Sequence, residues 1–406
     1  MTAAIQDDLF TDDVIANPYA YYGRLREDDP VHWNEAYALW VITRYDDVVW
    51  LTRHHELFSS AVFLNDRRPA YPPIDESDLG LYEYVKNYQG NQFIQHDRPE
   101  HLEMRRVMHG YFTPKSMEAW RPFVKAAVKE LLDAAEAKGS MDVMRDLATP
   151  LPVLVIAQMM GVPAEDRPYV RQLAEKLLYI GRGEYDRMRP LSEGMRGMIE
   201  YVSPLVDKRI VDPGDDFISV LARGEKQGIF TRHQVLVNTS LLLLAGHETT
   251  INLLCNGTLS FMRNRGQWDL LQQDPAGRAK LATEECLRFD APVISIQRIA
   301  SQDVELRDKV LRKGDRLRWF ISSANRDPEA FENPTSFDIT RHPNPHVAFG
   351  SGTHHCLGAT LARVEGQEVF KALAERFPDM RLETEDLEYQ PSITFRSLKS
   401  LPITLH

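Results

Sequence analysis

Cysteine is scarce here: Cys255, Cys286 and Cys356 are the only three among 406 residues. Three thiols build no disulfide framework and suit a reducing compartment, so a special cysteine must be explained by chemistry and not by stapling. Long apolar runs are missing too. Leu151 to Val162 falls short of the roughly 18 residues of a membrane span, and Leu241 to Leu254 is interrupted by His247 and Glu248. Met1 to Asp13 carries four acids and lacks the apolar core of a signal peptide. Positive charge is not in excess either. The 48 basic residues face 59 acidic ones, giving a formal charge of −11, and no dense Lys/Arg tract offers a phosphate-binding surface. The expectation is a soluble, cytoplasmic protein with neither nucleic acid nor membrane as partner. Repeats and low-complexity linkers are absent, so one domain over residues 1–406 is expected.

What is present reads as mainly helical with a small β portion. Val31 to Trp33 and Leu39 to Ile42 predict short strands, and Tyr45 to Arg53 predicts a helix. Ser59 to about Gln95 reads as a long loop, with Pro69, Pro72, Pro73 and scattered apolar residues. Helices are then expected over Glu100–Tyr111, Pro114–Ala137, Leu151–Met160, Pro168–Tyr179 and Leu191–Val202. Short β signals follow at 304–311, 316–321, 393–395 and 402–405.

The longest expected helix starts at the capping box Thr231-Arg232-His233-Gln234 and meets no proline until Pro275. Run to about Asn264 it spans roughly 50 Å at 1.5 Å per residue. Its flanks are apolar all round, so its middle should be buried. That middle holds Ala245-Gly246-His247-Glu248-Thr249-Thr250. An acid and two hydroxyls in a core are costly unless paired or used. Thr249 lies four residues beyond Ala245, so its hydroxyl can take the Ala245 carbonyl out of the helical ladder and open a bulge beside Gly246. Such a groove would admit dioxygen and a water. The alternative is a kinked core helix whose Glu248 pairs with a buried arginine.

Phe349-Gly350-Ser351-Gly352-Thr353-His354-His355-Cys356-Leu357-Gly358 precedes a clear helix, Ala359 to Phe377. Cys356 therefore sits at a helix entrance, where free amides favour a thiolate. The glycines permit tight backbone geometry and close approach of a flat ligand. Zinc is the rival reading, yet three contiguous residues His354, His355 and Cys356 cannot all face one tetrahedral ion. A buried inert cysteine leaves the glycines and His354 unexplained.

Phe-Gly-x-Gly-x-His-x-Cys-x-Gly matches the haem-binding signature of the cytochrome P450 family at every fixed position, and the chain resembles that family. The resemblance implies a triangular helical fold with a long central helix and a cysteine-ligand loop. It implies haem b as cofactor, with Cys356 as axial iron ligand, Phe349 shielding the sulfur, and Gly350, Gly358 and Ala245 bordering the ring. His101 and Arg105 (i and i+4 on one helix), Arg298 and His354 match the family's propionate contacts, the charge-assisted bonds that a carboxylate-bearing cofactor requires. Glu285 and Arg288, by spacing alone a surface ion pair, match a structural Glu-x-x-Arg element that Arg341 completes. Thr249 and Glu248 match the pair that delivers protons to bound oxygen, with Glu in a place where many members have Asp.

The implied activity is insertion of one oxygen atom into a hydrophobic organic substrate, with electrons from a separate ferredoxin and ferredoxin reductase, since no reductase domain fits in this length. Arg106, Lys115 and Arg363 are candidates for the docking patch. A substrate pocket by analogy draws on Phe93, Ile94, Leu178, Leu241, Val293, Ile294, Ile296, Thr394 and Phe395, with Arg67 and Arg68 available to a substrate carboxylate. The alternative function is a haem-thiolate peroxygenase, or a non-catalytic haem-binding or sensing protein. The acid–alcohol pair favours dioxygen over peroxide.

Overall fold

The structure is a computed structural model that describes residue 5 and residues 7–65, 74–177 and 188–406. Near the N-terminus, helix α1 (Pro18–Asp28) has proline in its first turn and the Asn17 side chain capping its start. Strands β1 (Val31–Asn34) and β2 (Leu39–Ile42) form a hairpin, and short β3 (Phe58–Ser59) follows. Helices α2 (Leu79–Gly90) and α3 (Glu100–His109) lead into the helical body. Its spine is α4 (Arg232–Ala245) continued by α5 (Glu248–Arg263), then α6 (Pro275–Phe289). Strands β4 (Ser295–Ala300) and β5 (Arg316–Phe320) return to the first sheet, whose order is β1-β2-β5-β4-β3, with β2 and β5 parallel and the other pairs antiparallel. Helix α7 (Ala359–Arg376) follows the cysteine loop.

The main core joins α2, α3, α4, α5 and α7 through residues such as Val85, Met104, Leu243, Leu254 and Phe370. A second cluster fills one face of the sheet with Ile42, Leu317 and Trp319, and a third packs Leu9, Phe10, Tyr22 and Leu25 against Val41, Ile294 and Phe320. Among the described residues no helix is long and apolar enough to cross a membrane.

Several expectations shift. The 59–95 tract is not one loop: it contains α2, held by buried Val85 and Tyr88 one turn apart, a pattern that Gly80 and the neighbouring acids obscure. The expected helix over 114–137 divides into Pro114–Glu118 and Arg121–Glu136, because Pro122 is suited to a first turn and not to a helix interior. Strand β4 carries no clear alternation and escapes a sequence reading, whereas Tyr45–Arg53 is a helix as expected. The β signal at 393–395 is only a bridge, Val293 to Phe395.

The capping box forms in full, Thr231 Oγ1 accepting from the Gln234 amide at 3.2 Å and Gln234 returning to the Thr231 amide at 2.9 Å. The long helix does not run unbroken to Asn264. It stops at Ala245 and restarts at Glu248, as Thr249 Oγ1 donates to the Ala245 carbonyl at 3.0 Å and the His247 amide reaches back only three residues, to Leu244 at 2.9 Å.

Candidate active site

The break is where the spine opens. From Val235 to Met262 every residue is buried except Leu244, Ala245, Gly246 and Thr249. These four form a shallow groove in an otherwise enclosed helix. Glu248 does not point into it: the carboxylate is buried, and its Oε1 accepts from Ser397 Oγ at 2.5 Å and from Asn252 Nδ2 at 3.2 Å. No arginine pairs with it in these contacts, which removes the alternative of a buried Glu–Arg pair.

Helix α5 packs on α7, the helix that begins three residues after Cys356. The loop before α7 is tied down from several sides. Cys356 N–H donates to the Phe349 carbonyl at 2.9 Å, Ser351 and Thr52 share a hydroxyl bond at 2.7 Å, and Arg105 donates to the His355 carbonyl at 2.6 Å. Gly350 and Gly352 both have positive φ, +66° and +68°, and a Cβ on Gly352 would lie 2.4 Å from the Thr52 carbonyl oxygen. Glycine is obligatory there. Gly358 has an ordinary φ and serves by its amide, which bonds the Cys356 sulfur. Arg363 lies over the Phe349 ring at 4.4 Å and is bound to Glu284 at 2.7 and 2.9 Å, so it is a paired cation and not a free member of a docking patch.

The Cys356 side chain is exposed in the fold although protein surrounds it on most sides. That surrounding bulk pushes the thiol pKa up, while the Gly358 amide and the Arg105 and Arg363 guanidiniums pull it down. Cys255 and Cys286 are buried outright, and burial drives both thiols well up.

Beside Cys356 lies a cluster of donors, and the neighbouring carboxylate, Asp97, is already taken by the Ser59 hydroxyl and the Ser60 amide. The His101 ring stacks on His354 at 3.9 Å and parallels Phe93 at 6.0 Å, and neither His101 nitrogen has a hydrogen-bond partner. His354 Nε2 meets Ser60 Oγ at 2.9 Å. Burial, then Arg105 and Arg298, lower the His101 pKa to about 4; burial and the same cations also lower His354. Arg298 is pushed down to about 10 by burial, with Asp97 opposing, and stacks on Trp319 at 4.7 Å. Orphaned buried imidazole nitrogens beside crowded guanidiniums are what an acid-bearing ligand would satisfy. The residues present therefore fit a haem whose carboxylates meet His101, Arg105, Arg298 and His354 and whose iron meets Cys356.

Glu285 and Arg288 are fully buried and not at the surface, contrary to a reading from spacing alone. The pair is bidentate at 2.8 and 2.7 Å, Arg341 adds a bond to Glu285 at 3.2 Å, and Asn344 another at 3.1 Å. Of the pocket candidates, Phe93 and Leu241 are buried in the main core, Ile94 is exposed, and Val293, Ile296, Thr394 and Phe395 are half-buried. Ile294 is misplaced by analogy: it faces the third cluster with Tyr22 and Phe320, because the chain turns on leaving α6. Leu178, Arg67 and Arg68 lie outside the described residues.

Sequence reading also missed polar residues that converge on the spine. Asn238 accepts from the Phe93 amide at 2.8 Å, fixing that ring beside His101. Glu365 is buried beside Thr250 with one oxygen unpartnered, and burial raises its pKa to about 8. A folded-state value above the ordinary 4.5 means that the fold favours the protonated acid. The contribution is thus full below about pH 4.5 and is lost as pH rises through 8. Glu365→Gln is expected to match the parent protein at pH 4.5 and to exceed it by about 3–5 kcal/mol at pH 8.5 in urea unfolding. Parallel stability curves for the two proteins would refute this.

A helical body with a cysteine presented at the entrance of one helix, packed against a long buried helix that breaks midway, fits a haem-thiolate protein. The family described as Cytochrome P450 matches residues 279–400. The chain is 34% identical over 396 residues to the biotin biosynthesis cytochrome P450 of Bacillus subtilis, covering 96% of each. It superposes with a TM-score of 0.88 and 32% identity on P450BioI in complex with an acyl carrier protein ligated to hexadec-9Z-enoic acid, covering 97% of this chain and 99% of that one. CYP109E1 of Bacillus megaterium in complex with testosterone gives 0.85 at 32% identity, covering 98% of this chain and 100% of that one. The chain belongs to the cytochrome P450 family and is an oxygen-incorporating oxidoreductase with a haem cofactor.

Proposed function

We propose that this protein binds haem b through Cys356 and hydroxylates, or otherwise inserts oxygen into, a hydrophobic organic substrate with electrons from a ferredoxin and its reductase. The carrying observation is the groove at Ala245 and Thr249, the one opening in a spine buried from Val235 to Met262. When bound, the haem supplies dioxygen binding and activation, which a thiolate donor favours electronically. His101, Arg105, Arg298 and His354 would hold the cofactor's carboxylates. Thr249 keeps a hydroxyl and a water at the groove, and Glu248 passes protons toward that water from the protein interior. Phe93, Leu241, Val293, Ile296 and Phe395 exclude solvent and hold the substrate. The acyl chain and the steroid named in the two related structures are both largely apolar, and this chain takes a substrate of that class. The acid–alcohol pair speaks against a peroxygenase, which needs no proton delivery to dioxygen.

The test is the absorption spectrum of the purified protein reduced under carbon monoxide. A Soret band moved far to the red is expected; an unshifted band, or none, overturns the assignment. Thr249→Ala is expected to keep that band but divert electrons, raising peroxide release per electron pair by about tenfold. Unchanged coupling removes Thr249 from proton delivery.

A further inference from the structure

On the reading above, Glu248 feeds protons to the groove from its buried side, and its carboxylate is held there by neighbouring donors. The acceptor Oε1 is taken by two donors. Asn252, one turn further along α5, approaches at 3.2 Å, and Ser397 Oγ approaches at 2.5 Å from 149 positions away in sequence. Ser397 is itself immobilised: its carbonyl accepts from the Gln390 amide at 2.8 Å. Its neighbour Arg396 is pinned still harder. The Arg396 amide bonds the Pro292 carbonyl at 3.0 Å, its carbonyl accepts from Asn256 Nδ2 at 2.9 Å, and its guanidinium lies 3.4 Å over Tyr389 while donating to Ile15 and Ala16 carbonyls. Two residues before Arg396, the Thr394 carbonyl accepts from the Ile294 amide at 2.7 Å, and Phe395 bridges Val293. One short, rigid segment therefore carries two pocket residues, Thr394 and Phe395, and a hydroxyl that grips Glu248.

We infer that Ser397 is a positioning residue for oxygen activation: it fixes the rotamer of the Glu248 carboxylate and so links the substrate-lining turn at 394–395 to proton delivery. The inference rests on the role proposed above for Glu248. Ser397 donates a hydrogen bond and keeps its proton throughout, so it is not consumed in any step. A hydrogen bond from a fixed neutral donor to a buried carboxylate is a strong orienting contact, because the alternative rotamers leave the acid unpaired. Because the segment is rigid, a substrate seated against Thr394 and Phe395 meets a Ser397 hydroxyl, and with it a Glu248 carboxylate, already in place.

The experiment compares Ser397→Ala, Ser397→Thr, Glu248→Gln and the double variant Ser397→Ala with Glu248→Gln, each loaded with haem. Two readouts are taken: product formed per electron pair, and the C–O stretching band of the reduced carbon monoxide complex, which reads polar groups near the ligand without turnover. Ser397→Ala is expected to lower coupling by about three- to tenfold and to broaden or split the band, with Ser397→Thr restoring both. On the Glu248→Gln background the Ser397→Ala change should have no further effect on coupling. Equal losses on both backgrounds, or an unmoved band in Ser397→Ala, overturn the inference. Full coupling in Glu248→Gln is a different failure, that of the role given to Glu248, and removes Ser397 from proton delivery with it.

Discussion

Cys356→Ala should abolish the red-shifted carbon monoxide band and lower turnover by on the order of a thousandfold, equivalent to about 4 kcal/mol of barrier. Of the three thiols, only that of Cys356 is exposed; burial raises its pKa, and two guanidiniums and an amide oppose that rise. The Gly358 amide and the Arg105 and Arg363 guanidiniums stabilise negative charge on that sulfur. Cys255 has carboxylates nearby, which together with burial drive its thiol up, and Cys286 lies next to Glu285 under the same bias. Neither can substitute. Cys255→Ala and Cys286→Ala are therefore expected to leave the band in place. Cofactor uptake by Cys356→Ala should be weakened but not lost, because His101, Arg105, Arg298 and His354 still offer their donors to its acidic edge. A red-shifted band that survives in Cys356→Ala would end the thiolate assignment.

The parts of this site that a sequence reader can find are those whose chemistry is local. Gly350, Gly352 and Cys356 sit within seven residues, and their constraints are visible because a tight loop needs glycine at fixed offsets. His101 and Arg105 share a helix face by simple arithmetic. The break after Ala245 follows from a hydroxyl four residues on, although the same arithmetic did not reveal that the helix would split in two. What stayed hidden depends on contacts between distant segments. Ser397 reaches Glu248 across 149 positions and Glu365 reaches Thr250 from the next helix layer. Nothing in a serine within Phe-Arg-Ser-Leu marks it as a donor to a buried acid. Ile294 failed for the opposite reason: its position in the pattern was right, but the turn after α6 rotates it toward Tyr22 and Phe320.

The same distinction sets the outcome expected for Arg288, where a local pair turns out to anchor distant chain. All its donor directions are used: two to Glu285, and the rest to the carbonyls of Asn325 at 3.0 Å, Pro334 at 2.8 Å and Ser336 at 2.8 Å. Glu285 in turn accepts from the Asp338 amide at 2.9 Å and from Arg341 and Asn344. Asn325 passes the restraint on, its side chain accepting from the Val347 amide at 2.8 Å just before the cysteine loop begins. Arg288→Ala removes the bidentate partner of a fully buried carboxylate and leaves three carbonyls without donors. Breaking such a pair costs about 3–5 kcal/mol, a large part of the 5–15 kcal/mol that typically holds a domain folded. The variant is expected to unfold at markedly lower urea and to take up little haem. Arg288→Lys should recover only part of the loss, since an ammonium carries three donors in a compact group and cannot span Glu285 and three carbonyls. Arg341→Ala should cost less, because that guanidinium is partly solvated and holds Glu285 by one edge. A urea midpoint for Arg288→Ala within experimental error of the parent would mean that the buried network carries no net stability and that the cysteine loop is held by its own contacts alone.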